Sequence, residues 1–200
     1  MNCTPLALVA GLGNPGSRYQ ATRHNAGFWF VEQVAHKWGG SFRAEAKFAA
    51  EVADTHIEDQ RLRLLKPITF VNKSGQAVAA LARFYRLKPA QILIVHDEID
   101  LKPGVARLKL GGGPGGHNGL KDIIAHLGDR NFHRLRLGIG HPGQREEVVH
   151  FVLNRPSAGE SKAIDEAIDA ALADFAKIVA GDMAGAMNRL HRTQPATVAA

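Results

Sequence analysis

The apolar positions fall into two periods along the chain. Leu6 to Leu12 is a short apolar run that breaks into glycines, the pattern of a buried strand ending in a turn. Phe28, Val31, Ala35 and Trp38 recur at helical spacing, and Gly39-Gly40 closes that helix. Phe48 to Asp54 and Leu62 to Lys66 read as two strands joined by the polar stretch Thr55 to Gln60, with Pro67 ending the second. Val78, Leu81, Ala82 and Tyr85 line one face of a second helix, which Asn72 or Ser74 could cap. Ile92 to Val95 is apolar throughout, as a central strand covered on both faces requires. Val105 to Leu110 and His133 to Gly140 are further strands; in the second, Leu135, Leu137 and Ile139 alternate with Arg134 and Arg136. Leu120 to Leu127 is helical between them. Val148 to Asn154 is a short apolar segment stopped by Pro156. Glu160 to Ala180 predicts one long amphipathic helix and Met183 to Leu190 a shorter one. Strands interleaved with helices imply an α/β fold: one domain over residues 1–192, a mixed, mostly parallel twisted sheet flanked by helices. Residues 193–200 have little to bury and read as a flexible tail.

Composition narrows the class. The chain has 200 residues, 45% of them hydrophobic and 22% charged, enough for a core without staples. No apolar run approaches the ~20 residues of a membrane span, and the N-terminus lacks the basic region of a signal peptide. Cys3 is the single cysteine, which leaves no disulfide framework and no thiolate metal cluster. A cytoplasmic protein is the expectation. The charge is uneven: Lys102 to Arg145 holds eight basic and two acidic residues, a local +6 that equals the formal charge of the whole chain. One basic face on a neutral body points to a polyanion partner.

The candidate chemistry sits where the strands end. Gly11, Gly13 and Gly16 fit G-x-G-x-x-G, but Pro15 and the polar residues after it delay the helix by about ten residues, so no helix N-terminus meets a pyrophosphate there. Instead the first strand delivers Asn14 and His24, the third Asn72 and the fourth Asp97, while His117-Asn118 lies in the glycine run Gly111 to Gly119. If the strands are parallel neighbours, these groups converge on one edge. His24 could take a proton from water, with Asp97 holding its far ring nitrogen. No G-x-S-x-G supplies a nucleophile, so direct water attack on an activated bond such as an ester fits best. Side-chain amides of Asn14, Asn72 and Asn118 could orient water and peptide groups. Two rivals remain. One is a metal-dependent hydrolase drawing on His24, His96, Asp97, Glu98, Asp100 or His117, although no metal-ligand spacing such as H-E-x-x-H appears. The other is an RNA-binding protein of the same fold without catalysis.

G-L-G-N-P-G followed by T-R-H-N-A-G, P-I-T-F-V-N-K-S-G, H-D-E-I-D, K-L-G-G-G-P-G-G-H-N-G-L-K and F-H-R-L-R-L-G-I-G-H-P together resemble the bacterial peptidyl-tRNA hydrolase family, in its order and spacing, from Leu8 to Pro156. The resemblance implies a monomeric, phosphorylase/hydrolase-like α/β fold. It implies cleavage, without a cofactor or metal, of the ester joining a peptide to the 3′-terminal ribose of tRNA. Position by position, it makes His24 the catalytic base and Asp97 its partner. Asn14, Tyr19, Phe70, Asn72, His117 and Asn118 would bind substrate, and Lys109 and Arg136 would grip the acceptor stem. Val148 to Asn154 matches a mobile lid. Val71 stands where the family often has methionine, and Pro114 where a histidine is common.

Overall fold

The structure, a computed structural model, describes residues 4–192; the expectations for Cys3 and for the tail at 193–200 lie outside the described residues. Seven strands form one sheet in the order β2-β3-β4-β1-β5-β7-β6. They are β1 (Leu8–Gly11), β2 (Arg43–Glu45), β3 (Ala50–Ile57), β4 (Gln60–Pro67), β5 (Ile92–Glu98), β6 (Ala106–Leu110) and β7 (His133–Gly138). The central neighbours β4, β1, β5 and β7 run parallel, whereas β3 and β6 run against them. The three strands credited with site residues, β1, β4 and β5, are therefore adjacent and point the same way.

Alternation along the central strands sends side chains to two cores. Leu8, Ala10, Ile92 and Ile94 pack with Val78 and Leu81 of α2 (Ser74–Phe84) and Leu120 and Ile123 of α3 (Asn118–Leu127). Val9, Leu93 and Val95 face the other side, against Phe30 and Val31 of α1 (Ala26–Lys37). That side is completed by Ile164 and Ile168 of α5 (Ala158–Ala173), Phe175 of α6 (Phe175–Val179) and Leu190 of α7 (Met183–Arg192). The short α4 (Val148–Val152) lies before α5. Among the described residues, no helix is long and apolar enough to cross a membrane.

Three local expectations change. The stretch Thr55 to Gln60 is mostly strand: Thr55 and Ile57 alternate inward, and β3 and β4 form a hairpin turning at Glu58 and Asp59. The edge strand β2 carries no apolar period, so only its pairing with β3 marks it. The helix expected over 160–180 breaks at Asp174, whose carboxylate accepts from Arg189 Nε of α7 at 2.7 Å.

The glycines after β1 serve packing. A Cβ on Gly11 would strike the carbonyl of Gly27, and one on Gly27 would strike backbone atoms of Val95 and Leu12. Only glycine at both positions lets the first turn of α1 lie against β1 and β5, which brings His24 beside the end of β5.

Candidate active site

A cavity of about 540 Å³ opens at the carboxyl end of β1, β4 and β5, where an α/β sheet of this kind places its ligands. Its wall includes Asn14, Tyr19, His24, Phe70, Asn72, Asp97, His117 and Asn118. Eight of the ten residues singled out in the sequence thus line one cavity; Lys109 and Arg136 do not.

His24 belongs to a 3-10 turn, Arg23–Asn25, that leads into α1, and Asp97 is a fully formed part of β5. His24 Nδ1 lies 2.9 and 3.0 Å from the two carboxylate oxygens of Asp97. With Nδ1 donating to the carboxylate, the lone pair is on Nε2. Asp97 is 3% exposed. Burial opposes its charge, but His24 and His117 outweigh it and hold the carboxyl well below the usual carboxylate range. Burial likewise opposes charge on His24, yet the adjacent Asp97 raises its imidazole above the ordinary value of 6.5. The pair is thus an ionised carboxylate with an imidazole made more basic by it.

His117 does more than line the cavity. Its Nε2 lies 3.1 Å from Asp97 Oδ1. Its Nδ1 accepts from the backbone N–H of Gly119 at 3.2 Å and Leu120 at 3.4 Å, capping α3. An accepting Nδ1 puts the ring proton on Nε2, so His117 is a second donor to the same carboxylate. The loop before it turns through Gly115 and Gly116, both at positive φ, with His117 N–H donating to Pro114 O at 2.9 Å. Pro114 therefore fits the turn. His96, buried beside His117, donates from Nδ1 to the Asp97 carbonyl at 2.7 Å; burial and the neighbouring His117 push its imidazole down to about 3.

The donor atoms of His24, Asp97 and His117 lie within 4.8 Å of one another, the spacing of a possible metal-ligand set. To ligate through Nε2, His117 would have to move its proton to Nδ1, against two backbone N–H donors. The hydrogen-bonded arrangement carries no such conflict.

The amides are divided between framework and cavity. Asn14 Oδ1 accepts from Val71 N–H at 2.9 Å, tying the end of β1 to the turn after β4. Asn25 grips the Asn14 backbone from both sides, at 2.9 and 3.0 Å. Asn14 therefore keeps its Nδ2 for a ligand. Asn72 does not cap α2: the capping position is Lys73 with no side-chain bond, and Asn72 faces the cavity. Asn118, the first residue of α3, is exposed to the cavity, and Tyr19 meets Phe70 edge-to-face at 6.0 Å.

The basic segment folds into one ribbon. In the β6–β7 ladder Lys109 stands opposite Arg134 and Arg107 opposite Arg136, so the four cations share a face. Arg134 is buried and donates to the carbonyls of Gly113 at 2.6 Å and Gly112 at 2.5 Å, holding the glycine loop. Arg136 is tied to Glu98 at 2.8 Å, and Lys109 is exposed. Sequence reasoning missed Asn25 and Arg23, which pairs with Glu160 at 2.9 Å, and it named Arg134 and Glu98 without the contacts they make. Each acts through backbone or ion-pair contacts that leave no spacing to read.

The peptidyl-tRNA hydrolase family profile matches residues 8–197. The chain is similar to a peptidyl-tRNA hydrolase of Neisseria gonorrhoeae, 55% identical over 93% of this chain and 97% of that one. It is 54% identical to one from Pectobacterium atrosepticum, over 93% and 96%. The crystal structure of peptidyl-tRNA hydrolase from Acinetobacter baumannii superposes with a TM-score of 0.94 at 49% identity, covering 98% of this chain and all of that one. With the profile spanning nearly the whole sequence, the chain belongs to the peptidyl-tRNA hydrolase family.

Proposed function

We propose that this protein is an enzyme that hydrolyses the ester between a peptide, or an N-blocked amino acid, and the 3′-terminal ribose of tRNA, freeing tRNA for reuse in translation. The observation that carries the mechanism is the His24 Nδ1 contact with both oxygens of Asp97. His24 Nε2 takes a proton from water as the water attacks the ester carbonyl. The carboxylate of Asp97 stabilises the imidazolium, and the proton is returned to the leaving 3′-oxygen. General-base help of this kind contributes ~10²–10⁴-fold. Asn14 Nδ2, Asn72 and Asn118 orient the water and the peptide backbone. Tyr19 and Phe70 offer apolar contact to the peptide, and His117 steadies Asp97.

Lys109 and Arg136 bind the acceptor stem. Lys109 is exposed on the β6–β7 ribbon, inside the segment that carries a local charge of +6, and a basic surface of that kind suits a phosphate backbone. The working unit is a monomer of one domain, residues 1–192, acting in the cytoplasm. Purified protein incubated with N-acetyl-aminoacyl-tRNA and with unblocked aminoacyl-tRNA tests the reading: the blocked ester is cleaved and the free-amine form is spared. His24→Ala keeps tRNA affinity and loses nearly all turnover. A His24→Ala variant that turns over near the parent rate would refute the base assignment. Tight tRNA binding by the parent protein without turnover would indicate a binding protein, and activity lost to a chelator and restored by metal would indicate the metal route.

A further inference from the structure

Arg23 precedes His24 in the same 3-10 turn, and its side chain is buried. Its Nη1 donates to the carbonyls of Phe151 at 3.3 Å, Asn154 at 3.3 Å and Arg155 at 2.9 Å. Its Nη2 donates to Glu160 Oε2 at 2.9 Å, and the guanidinium lies 4.1 Å from the centre of the Phe151 ring. The Arg23 backbone N–H adds a bond to the Asn154 carbonyl at 3.1 Å. The carbonyl contacts fall on the end of α4 and its connection to α5, and Glu160 lies in the first turn of α5.

That segment needs an external tie. α4 has five residues, far below the length at which a helix holds itself in water. The last carbonyls of any helix lack intrahelical partners, and a cation at that end both satisfies them and complements the dipole. Arg23 supplies that cation across more than 120 residues of sequence. α4 also gives Val148, Val149 and Val152 to the wall of the cavity that His24 lines. Val149 is 66% exposed, an apolar surface left for something to cover.

We propose that Arg23 is a positioning residue: it fastens α4, the cavity wall that meets the acyl part of the substrate, to the turn that carries His24. Glu160 anchors the strap from the far side, since the same carboxylate caps α5 by accepting from Ser157 N–H at 2.7 Å. His24 itself is held by Asp97 and not by α4, so the strap governs acyl binding and leaves the base alone. The catalytic consequence rests on the peptidyl-tRNA reading; the mechanical one does not.

The test uses the full chain with Arg23→Lys, which retains one ionic contact and forfeits the carbonyl bonds, and Glu160→Gln, which loosens the anchor. Steady-state hydrolysis of N-acetyl-phenylalanyl-tRNA is measured beside hydrogen–deuterium exchange of residues 148–156. For Arg23→Lys, KM rises about tenfold with kcat within about twofold, the pattern of lost ground-state binding. The acid limb of kcat/KM stays where it is, and exchange over 148–156 accelerates. Glu160→Gln raises KM about two- to threefold in the same way, and decides the question alone if Arg23→Lys does not fold. A fall in kcat at constant KM, a displaced acid limb, or unchanged exchange in the folded variants overturns the proposal. A parent enzyme that leaves the N-acetyl ester intact defeats the functional reading instead, and the exchange data still judge the strap.

Discussion

Asp97→Asn is the sharpest test of the site because it changes two atoms' chemistry and almost no volume. Oδ1 of Asp97 receives both imidazoles, His24 at 2.9 Å and His117 at 3.1 Å, while Oδ2 receives His24 alone at 3.0 Å. In asparagine the amide oxygen keeps the shared position and goes on accepting from His117. The NH₂ group then falls where Oδ2 was, facing the His24 Nδ1–H. Two donors cannot share that contact, so His24 moves its proton to Nε2 and presents a lone pair at Nδ1. The nitrogen in the cavity is then protonated and cannot accept a proton from water. The imidazolium also loses its counter-charge. Losing the base is expected to cost ~10²–10⁴-fold in kcat, or about 2.7–5.4 kcal/mol of barrier at 1.36 kcal/mol per tenfold. KM changes little, because the carboxylate lies behind the imidazole. Single-turnover hydrolysis of N-acetyl-phenylalanyl-tRNA reads the chemical step directly, and imidazole ¹⁵N shifts report the tautomer. A variant within about threefold of the parent rate, or one with His24 still protonated at Nδ1, would refute this account.

Further expectations follow from the same geometry. His24 must be neutral to act, and Asp97 lifts its imidazole above 6.5, so the rate climbs with pH through a midpoint above that value; a midpoint at or below it contradicts the coupling. The fold is affected in the opposite sense: the elevated His24 contributes stability fully present below 6.5 and lost as pH rises through its folded value. Asp97, held low, contributes stability present above the usual carboxylate value and lost on stronger acidification, which melting curves across pH can follow. His117→Ala removes the cap of α3 and one of the donors to Asp97, costing roughly 0.5–2 kcal/mol in denaturant unfolding. Lys109→Ala flattens the salt dependence of tRNA binding by about one phosphate contact at unchanged fold stability. Arg136→Ala flattens it too but also unpairs Glu98, so it alone lowers the melting temperature.

The central strands were legible because they are apolar on both faces, and Ile92 to Val95 admits few other readings. The convergence of Asn14, His24, Asn72 and Asp97 followed from one assumption, parallel neighbours, which the order β4-β1-β5 satisfies. What stayed hidden acts through the backbone. Asn25 and Arg134 bond to carbonyls and amides that every residue carries, so no pattern of side chains announces them. His117 read as a site residue in a glycine run; its double task, cap and donor, depends on where α3 starts relative to β5. The hairpin turn at Glu58 was masked because polar residues fill an exposed strand face as readily as a loop.

Strand β7 sits between β5 and β6, although β6 comes before it in the chain, and the pairs β5–β7 and β6–β7 are the contacts that seat this half of the sheet. While the chain is being made, β6 and the glycine run behind it have no ladder to join until β7 leaves the ribosome, and Arg134, which grips that run, arrives with β7. Among the described residues the last strand ends at Gly138, in a chain of 200. The basic ribbon and the glycine loop are therefore the part of the molecule that forms late, after the elements that carry His24 and Asp97 have been made.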